Sequence, residues 1–132
     1  MGAGRAHRRA ESTLTLRQVP KLAAPEPGDI WWALLDDEPV GHEQGGRRPV
    51  VIISNSDYLA LVDSLTKIVP VTMTHRGWPN QIPLKGATGL AGYAMSEQVR
   101  TISRERLLHK EGVTSASCLA EIHTWILDFL LP

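Results

Sequence analysis

The sequence predicts a mainly β fold with one long helix: a small, strongly curved antiparallel barrel or half-barrel plugged by a C-terminal helix. Three observations carry this. Short runs of β-branched and aromatic residues recur along the chain between Gly and Pro, and only the C-terminal segment repeats apolar residues at helical spacing. Neither a βαβ alternation nor an internal repeat is present. At 132 residues the chain is one domain's worth, enough to bury a single core.

Residues 1–26 mix Ala, Gly, Arg and Pro, with only Leu14 and Leu16 alternating, and read as a flexible basic extension ahead of a domain spanning 27–132. Residues 29–35 form an aromatic and aliphatic run, 49–55 are β-branched, and 66–73 are β-branched around Pro70; all three read as strands. Pro70 cannot donate to a ladder, which predicts an edge position or a bulge that re-aims Thr72. Residues 81–84 and 93–102 continue the strand pattern, with Gly77, Pro79, Gly86, Gly89 and Gly92 marking turns. Residues 56–61 supply one or two helical turns, and Ser103 can cap a short helix reaching 108. Thr114 or Ser115 opens the long helix, with its stripe at Leu119, Ile122, Ile126, Phe129 and Leu130, and with His123 and Trp125 off it. Trp31 and Trp32 point to opposite strand faces, so at least one lies outside the core. An exposed edge and the apolar surface of so small a barrel favour a homodimer.

Composition narrows the class further. The hydrophobic fraction of 42% is ordinary for a soluble globule, and no apolar run approaches the roughly 18 residues of a membrane span. The N-terminus has arginines but no apolar h-region, so a cytoplasmic address is expected. Cys118 is the only cysteine, which excludes an internal disulfide and a Cys-based zinc cage. Formal charge is zero, yet residues 1–24 hold five basic groups against one acid, plus four, leaving minus four for the rest. Bulk charge therefore does not advertise a nucleic-acid binder. A positive field for such a ligand must be local, from Arg47 and Arg48, His75 and Arg76, and the series Arg100, Arg104, Arg106, which reads equally well as solvated surface charge.

The densest chemistry is Gly41-His42-Glu43-Gln44-Gly45-Gly46-Arg47-Arg48-Pro49, a glycine-flanked loop running into an apolar strand. A carboxylate and an imidazole can move protons near neutral pH, and an Arg fork can grip two phosphate oxygens. That is equipment for attacking a phosphodiester; the plain alternative is a solvated linker. His42 and Glu43 are adjacent rather than at metal-ligand spacing, so neither metal nor cofactor is expected. Arg48 precedes Pro49, which biases it to an extended backbone at the strand mouth. Thr72 and Thr74 close the third strand, where a hydroxyl can orient a phosphate or simply suit a strand. In His75-Arg76-Gly77-Trp78-Pro79 an aromatic sits beside two basic groups, which suits stacking an unpaired base, unless Trp78 is a lid on the core. Glu97 and Gln98 interrupt the 93–102 run, either facing outward or placed for a ligand.

Taken in order, Pro27-Gly28-Asp29-Ile30-Trp31, the segment GHEQGGRRPVVII, the strand end IVPVT, the RGWP turn and EQVRTI before a short helix resemble the MazF/PemK family of toxin–antitoxin endoribonucleases, over residues 27–131. The resemblance implies a small SH3-like antiparallel barrel plugged by its C-terminal helix. It implies a growth-inhibiting, homodimeric toxin that cuts single-stranded RNA at a short sequence without a metal. It also implies a cognate MazE-like antitoxin and DNA binding through the antitoxin complex. By motif position the family's loop carboxylate falls on Glu43, its strand-entry arginine on Arg48 and its strand-end hydroxyl on Thr72, while His42 stands where members carry His or Ser. Arg47, Thr74, His75, Arg76, Trp78, Glu97 and Gln98 are the expected RNA contacts. PemK-like members carry Arg-x-Asp-Gln where this chain reads Met95-Ser96-Glu97-Gln98, and Met73 stands where a second hydroxyl is common, leaving Thr74 as its substitute.

In the implied chemistry RNA supplies its own nucleophile, the 2'-hydroxyl. Glu43 would be the base, Arg48 the phosphate clamp, Thr72 a donor to a non-bridging oxygen and His42 the acid, leaving a 2',3'-cyclic phosphate and a 5'-hydroxyl. Base and acid roles among Glu43, His42 and Arg48 can be exchanged without altering the sequence argument. The rivals are an RNA-binding module and a non-catalytic toxin on the same barrel, one that poisons DNA gyrase through its terminal helix.

Overall fold

The residues Val50 to Ile53 and Ile68 to Val71 are apolar at consecutive positions because both faces of their strands are covered. The computed structural model describes residues 24–35 and 45–132; the expected extension over 1–23 and the loop 36–44, with His42 and Glu43, lie outside the described residues. In chain order the elements are β1 (Asp29–Leu35), β2 (Gly46–Ile52), α1 (Ser56–Leu61), β3 (Leu65–Thr72), β4 (Gln81–Pro83), β5 (Gly86–Ala87), β6 (Tyr93–Met95), β7 (Arg100–Ser103), a 3-10 turn (Arg104–Arg106), β8 (Leu107–Thr114) and α2 (Ala116–Leu130). The strands form one curled antiparallel sheet in the order β4-β6-β3-β2-β1-β8-β5, with β7 on the first half of β3. With α2 against one face, this is the expected half-barrel and its C-terminal helix.

Strand alternation sorts the core into two layers. Ile30, Val51, Ile53, Val69, Val71, Ile82 and Ala94 face α2 and meet its Cys118, Ile122 and Ile126. Ala33, Leu35, Val50, Ile52 and Ile68 face the other way, toward Leu59 of α1, Ile102 and Leu107. Each buried aliphatic side chain contributes about 1.5–3 kcal/mol. Trp31 packs against this second layer, while Trp32 lies on the opposite face.

Several expectations are corrected. Pro70 marks no bulge and is locally at an edge, one of the two expected alternatives: Leu65–Ile68 pairs with β7 and Val71–Thr72 with β6, and Pro70 stands at the handover, where β3 has a neighbour on one side only. The β2–β3 register runs without a shift up to it, from Ile52 opposite Ile68 to Val50 opposite Pro70. The expected strand over 93–102 is two strands parted by a turn, in which the Gln98 N–H donates to the Met95 carbonyl (3.0 Å). Ser103 caps only the 3-10 turn, accepting the Glu105 N–H at 3.2 Å, and the chain then extends as β8. β8 forms because β1 offers it a backbone ladder, although only Leu107 and Thr114 at its two ends are buried. Ser115 caps α2 as expected, accepting the Cys118 N–H at 3.2 Å. The stripe is shorter than its periodicity, since Phe129 and Leu130 are 51% and 72% exposed. Trp125, off the stripe, packs against the core edge, and His123 Nε2–H donates to the Ile53 carbonyl (2.9 Å). Among the described residues no helix is long and apolar enough to cross a membrane.

Candidate active site

Arg48 and Thr72 come from strands that are neighbours in the sheet, and the alternation that buries Val50 and Pro70 sets both on the second-layer face. Extending the Val50–Pro70 register by two residues puts Arg48 opposite Thr72, and the Thr72–Tyr93 pair carries the row on to β6. Arg48 is also opposite Ala33. Ala33, Arg48, Thr72 and Tyr93 therefore cross four strands in one line at the rim.

The guanidinium of Arg48 is half-buried, with Nε donating to the Gly45 carbonyl (3.2 Å) and Nη1 to the Val71 carbonyl (3.2 Å). These bonds hold the fork beside the end of β3. Burial lowers its pKa from the usual arginine value, but an arginine so placed stays cationic at neutral pH. Of its five N–H donors two are engaged by carbonyls among the described residues, so the remainder suit an anionic oxygen. Thr72 is 4% exposed and its Oγ1 accepts the Thr74 N–H (3.1 Å), which leaves the hydroxyl hydrogen to donate.

Beyond Thr72 the chain turns through Thr74, His75, Arg76, Gly77 and Trp78. Gly77 has φ +79°, a conformation that a side chain would strain. Gln81 fastens this turn: its Oε1 accepts the Arg76 N–H (2.8 Å) and its Nε2 donates to the Thr74 carbonyl (3.2 Å). His75 lies flat on Tyr93, with centroids 4.6 Å apart, and the Arg76 guanidinium sits 5.6 Å from the Trp78 ring centre. Nη1 of Arg76 is buried and meets no acceptor among the described residues, a costly state that a ligand oxygen would relieve. Glu97 accepts from Asn80 Nδ2 and from Gln98 Nε2 (3.4 Å), and Ser96 Oγ donates to the Asn80 carbonyl (2.7 Å), so the 96–98 turn is tied to the start of β4.

The structure thus brings together Arg48, Thr72, Thr74, His75, Arg76 and Trp78 along the rim, with Glu97 and Gln98 buttressing it. Arg47 is separated from them. It lies on the opposite sheet face, 5.8 Å from the Trp32 ring centre, and Trp32 stacks with His109 (6.3 Å) and donates Nε1–H to Glu111 (3.1 Å). Arg104, grouped by sequence with surface charge, is 9% exposed and donates to the carbonyls of Leu59, Val62 and Leu65. Sequence reading missed Gln81 and Tyr93; only strand register reveals them. Among the described residues no group of three or more His, Cys, Asp or Glu could hold a metal ion.

Fold and rim together define a small curled barrel that carries cations, a hydroxyl and aromatic rings along one edge. The chain belongs to the PemK-like, MazF-like toxins of type II toxin–antitoxin systems, whose family model matches residues 26–130. It is 37% identical over 103 residues to endoribonuclease MazF9 of Mycobacterium tuberculosis, covering 72% of this chain and 86% of that one. Over 93 residues it is 33% identical to the endoribonuclease toxin MazF of Escherichia coli K12, covering 69% and 80%. The crystal structure of MazF from Deinococcus radiodurans matches with a TM-score of 0.72 at 29% identity, over 82% of this chain and 97% of that chain. A chain from a MazE–MazF crystal structure of the same organism matches at 0.67 and 30%, over 82% and 96%.

Proposed function

We propose that this chain is the endoribonuclease toxin of a type II toxin–antitoxin pair and that it cuts single-stranded mRNA at the rim row built around Arg48. Family membership and the endoribonucleases among its relatives support the activity. The observation that carries the site is a half-buried arginine, held by the carbonyls of Gly45 and Val71 and with donors to spare, next to the strand-end hydroxyl of Thr72.

RNA brings its own nucleophile, so the protein has to remove the 2'-hydroxyl proton, hold the charge of the crowded phosphorane and protonate the departing 5'-oxygen. Glu43 takes the proton, the Arg48 fork clamps the phosphate, Thr72 donates to a non-bridging oxygen and His42 supplies the acid; Glu43, His42 and Arg48 can exchange base and acid roles. The reaction is metal-independent and leaves a 2',3'-cyclic phosphate and a 5'-hydroxyl. Thr74, His75, Arg76 and Trp78 line the path of the strand, Glu97 and Gln98 shape its wall, and Arg47 serves RNA that passes round to the opposite face. The toxin domain spans 27–132, after a basic extension at 1–26. The chain acts as a cytoplasmic homodimer, is silenced by a MazE-like antitoxin with an acidic tail, and binds DNA through that complex.

Incubating the purified protein with single-stranded RNA in EDTA and sequencing the ends tests this directly. Cleavage leaving cyclic phosphates is expected, and a 2'-deoxy sugar at the cut should stop it. Scission of that deoxy substrate rejects the mechanism. Bound but intact RNA favours an RNA-binding module, and neither binding nor cleavage favours a gyrase-type toxin.

A further inference from the structure

The residues on either side of His75 are fastened while its ring is left exposed. Thr72 Oγ1 holds the Thr74 N–H (3.1 Å), and the Gln81 amide takes the Thr74 carbonyl (3.2 Å) and the Arg76 N–H (2.8 Å). Gln81 is 3% exposed. An apolar side chain would pack there without the desolvation cost of a buried amide. The amide instead pairs with loop backbone as a neighbouring strand would, and the residue it fixes is the one between its two partners. The His75 ring then lies on Tyr93, with planes 12° apart, and Tyr93 is the ladder partner of Thr72.

We propose that His75, backed by Tyr93, is the stacking platform for the nucleobase next to the scissile phosphate, and that Gln81 is the positioning residue that fixes it there. This rests on the nuclease reading above and adds a base contact to it. An unpaired base offers a flat π-face, and stacking on aromatic rings is how single-stranded RNA is commonly held. A ring already stacked on its neighbour has lost its rotamer freedom, so a base extends a formed column instead of ordering a loose side chain.

The test pairs binding of a 2'-O-methyl RNA, which cannot be cut through a 2'-hydroxyl, with initial-rate kinetics on the unmodified RNA. His75→Ala and Gln81→Leu are each expected to weaken binding about tenfold. Both should raise KM, leave kcat within about threefold, and relax base preference at one position flanking the cut. His75→Phe, which keeps an aromatic face, should restore binding. His75 is exposed, so its substitution reports on the platform even if Gln81→Leu misfolds. Unchanged Kd and KM in His75→Ala overturn the proposal, as does failure of the Phe rescue or a Gln81→Leu effect confined to kcat. Wild-type protein that binds the blocked RNA but leaves unmodified RNA whole removes the nuclease reading, and the binding series then decides the platform alone. Wild-type protein that does neither removes both.

Discussion

Arg48 and Arg104 both aim their guanidiniums at backbone carbonyls, yet one sits at the rim and the other closes a helix. Arg104 Nε donates to the Leu65 carbonyl (3.0 Å), and its Nη2 to those of Val62 (3.0 Å) and Leu59. These oxygens belong to the end of α1 and the entry to β3, where helical carbonyls lack partners and a cation is favoured. Burial lowers the Arg104 pKa, while Asp63 and Tyr58 raise it. Arg48 meets two carbonyls, at the open end of the sheet. Residue type does not separate the two; what does is that Arg104 is buried and spends three donor contacts on carbonyls, whereas Arg48 is half-buried and spends two.

The sharpest way to break this contrast is Arg48→Ala. Cleavage should fall by about 10²–10³-fold, the range for removing one preorganised donor to a developing anion, with a melting temperature near wild type. Arg48→Lys keeps the charge but not the fork and should stay well below wild type; full activity would remove the bidentate clamp. Arg104→Met should invert the pattern, lowering stability by about 3 kcal/mol in urea titrations because three carbonyls lose a charged donor, while the folded fraction keeps its kcat. A stable Arg104→Met protein with impaired catalysis would show the two roles wrongly assigned. Arg47→Ala should raise KM slightly at low salt and not at high salt, as expected of an exposed cation on the far face.

Cys118 gives the smallest effect. Burial pushes its thiol pKa up, ahead of a lowering backbone hydrogen bond from Lys85, so thiol reagents should label the native protein far more slowly than the urea-unfolded chain. The folded state keeps this proton where the unfolded chain would lose it, so the contribution is complete below the ordinary thiol value and declines as pH rises through the elevated one. Rapid labelling at neutral pH would contradict that burial.

Much of this was legible in the residues. Asp29–Leu35, the Ser115 cap and the two-sided burial of β2 and β3 follow from local pattern. β8 did not, because a strand buried only at its two ends earns its place through backbone pairing with β1, which composition cannot express. The site divided in the same way. Residue types marked Arg48, Thr72 and the 75–78 turn, but the row they share is a matter of register between strands distant in sequence. Arg47 and Arg48 look equivalent as neighbours in the chain, yet alternation sends them to opposite faces. Gln81 carries no signal of its own until its two backbone partners are known.

The pairing of β1 with β8 joins residue 29 to residue 113, close to opposite ends of the domain. A nascent chain leaving the ribosome cannot complete its sheet until the last strand has emerged, and contacts so remote in sequence form slowly. Translation halted anywhere before that point releases a fragment without its closing strand or its terminal helix. The sheet is therefore complete only once residues 107–114 have been made, and the helix that covers it comes later still.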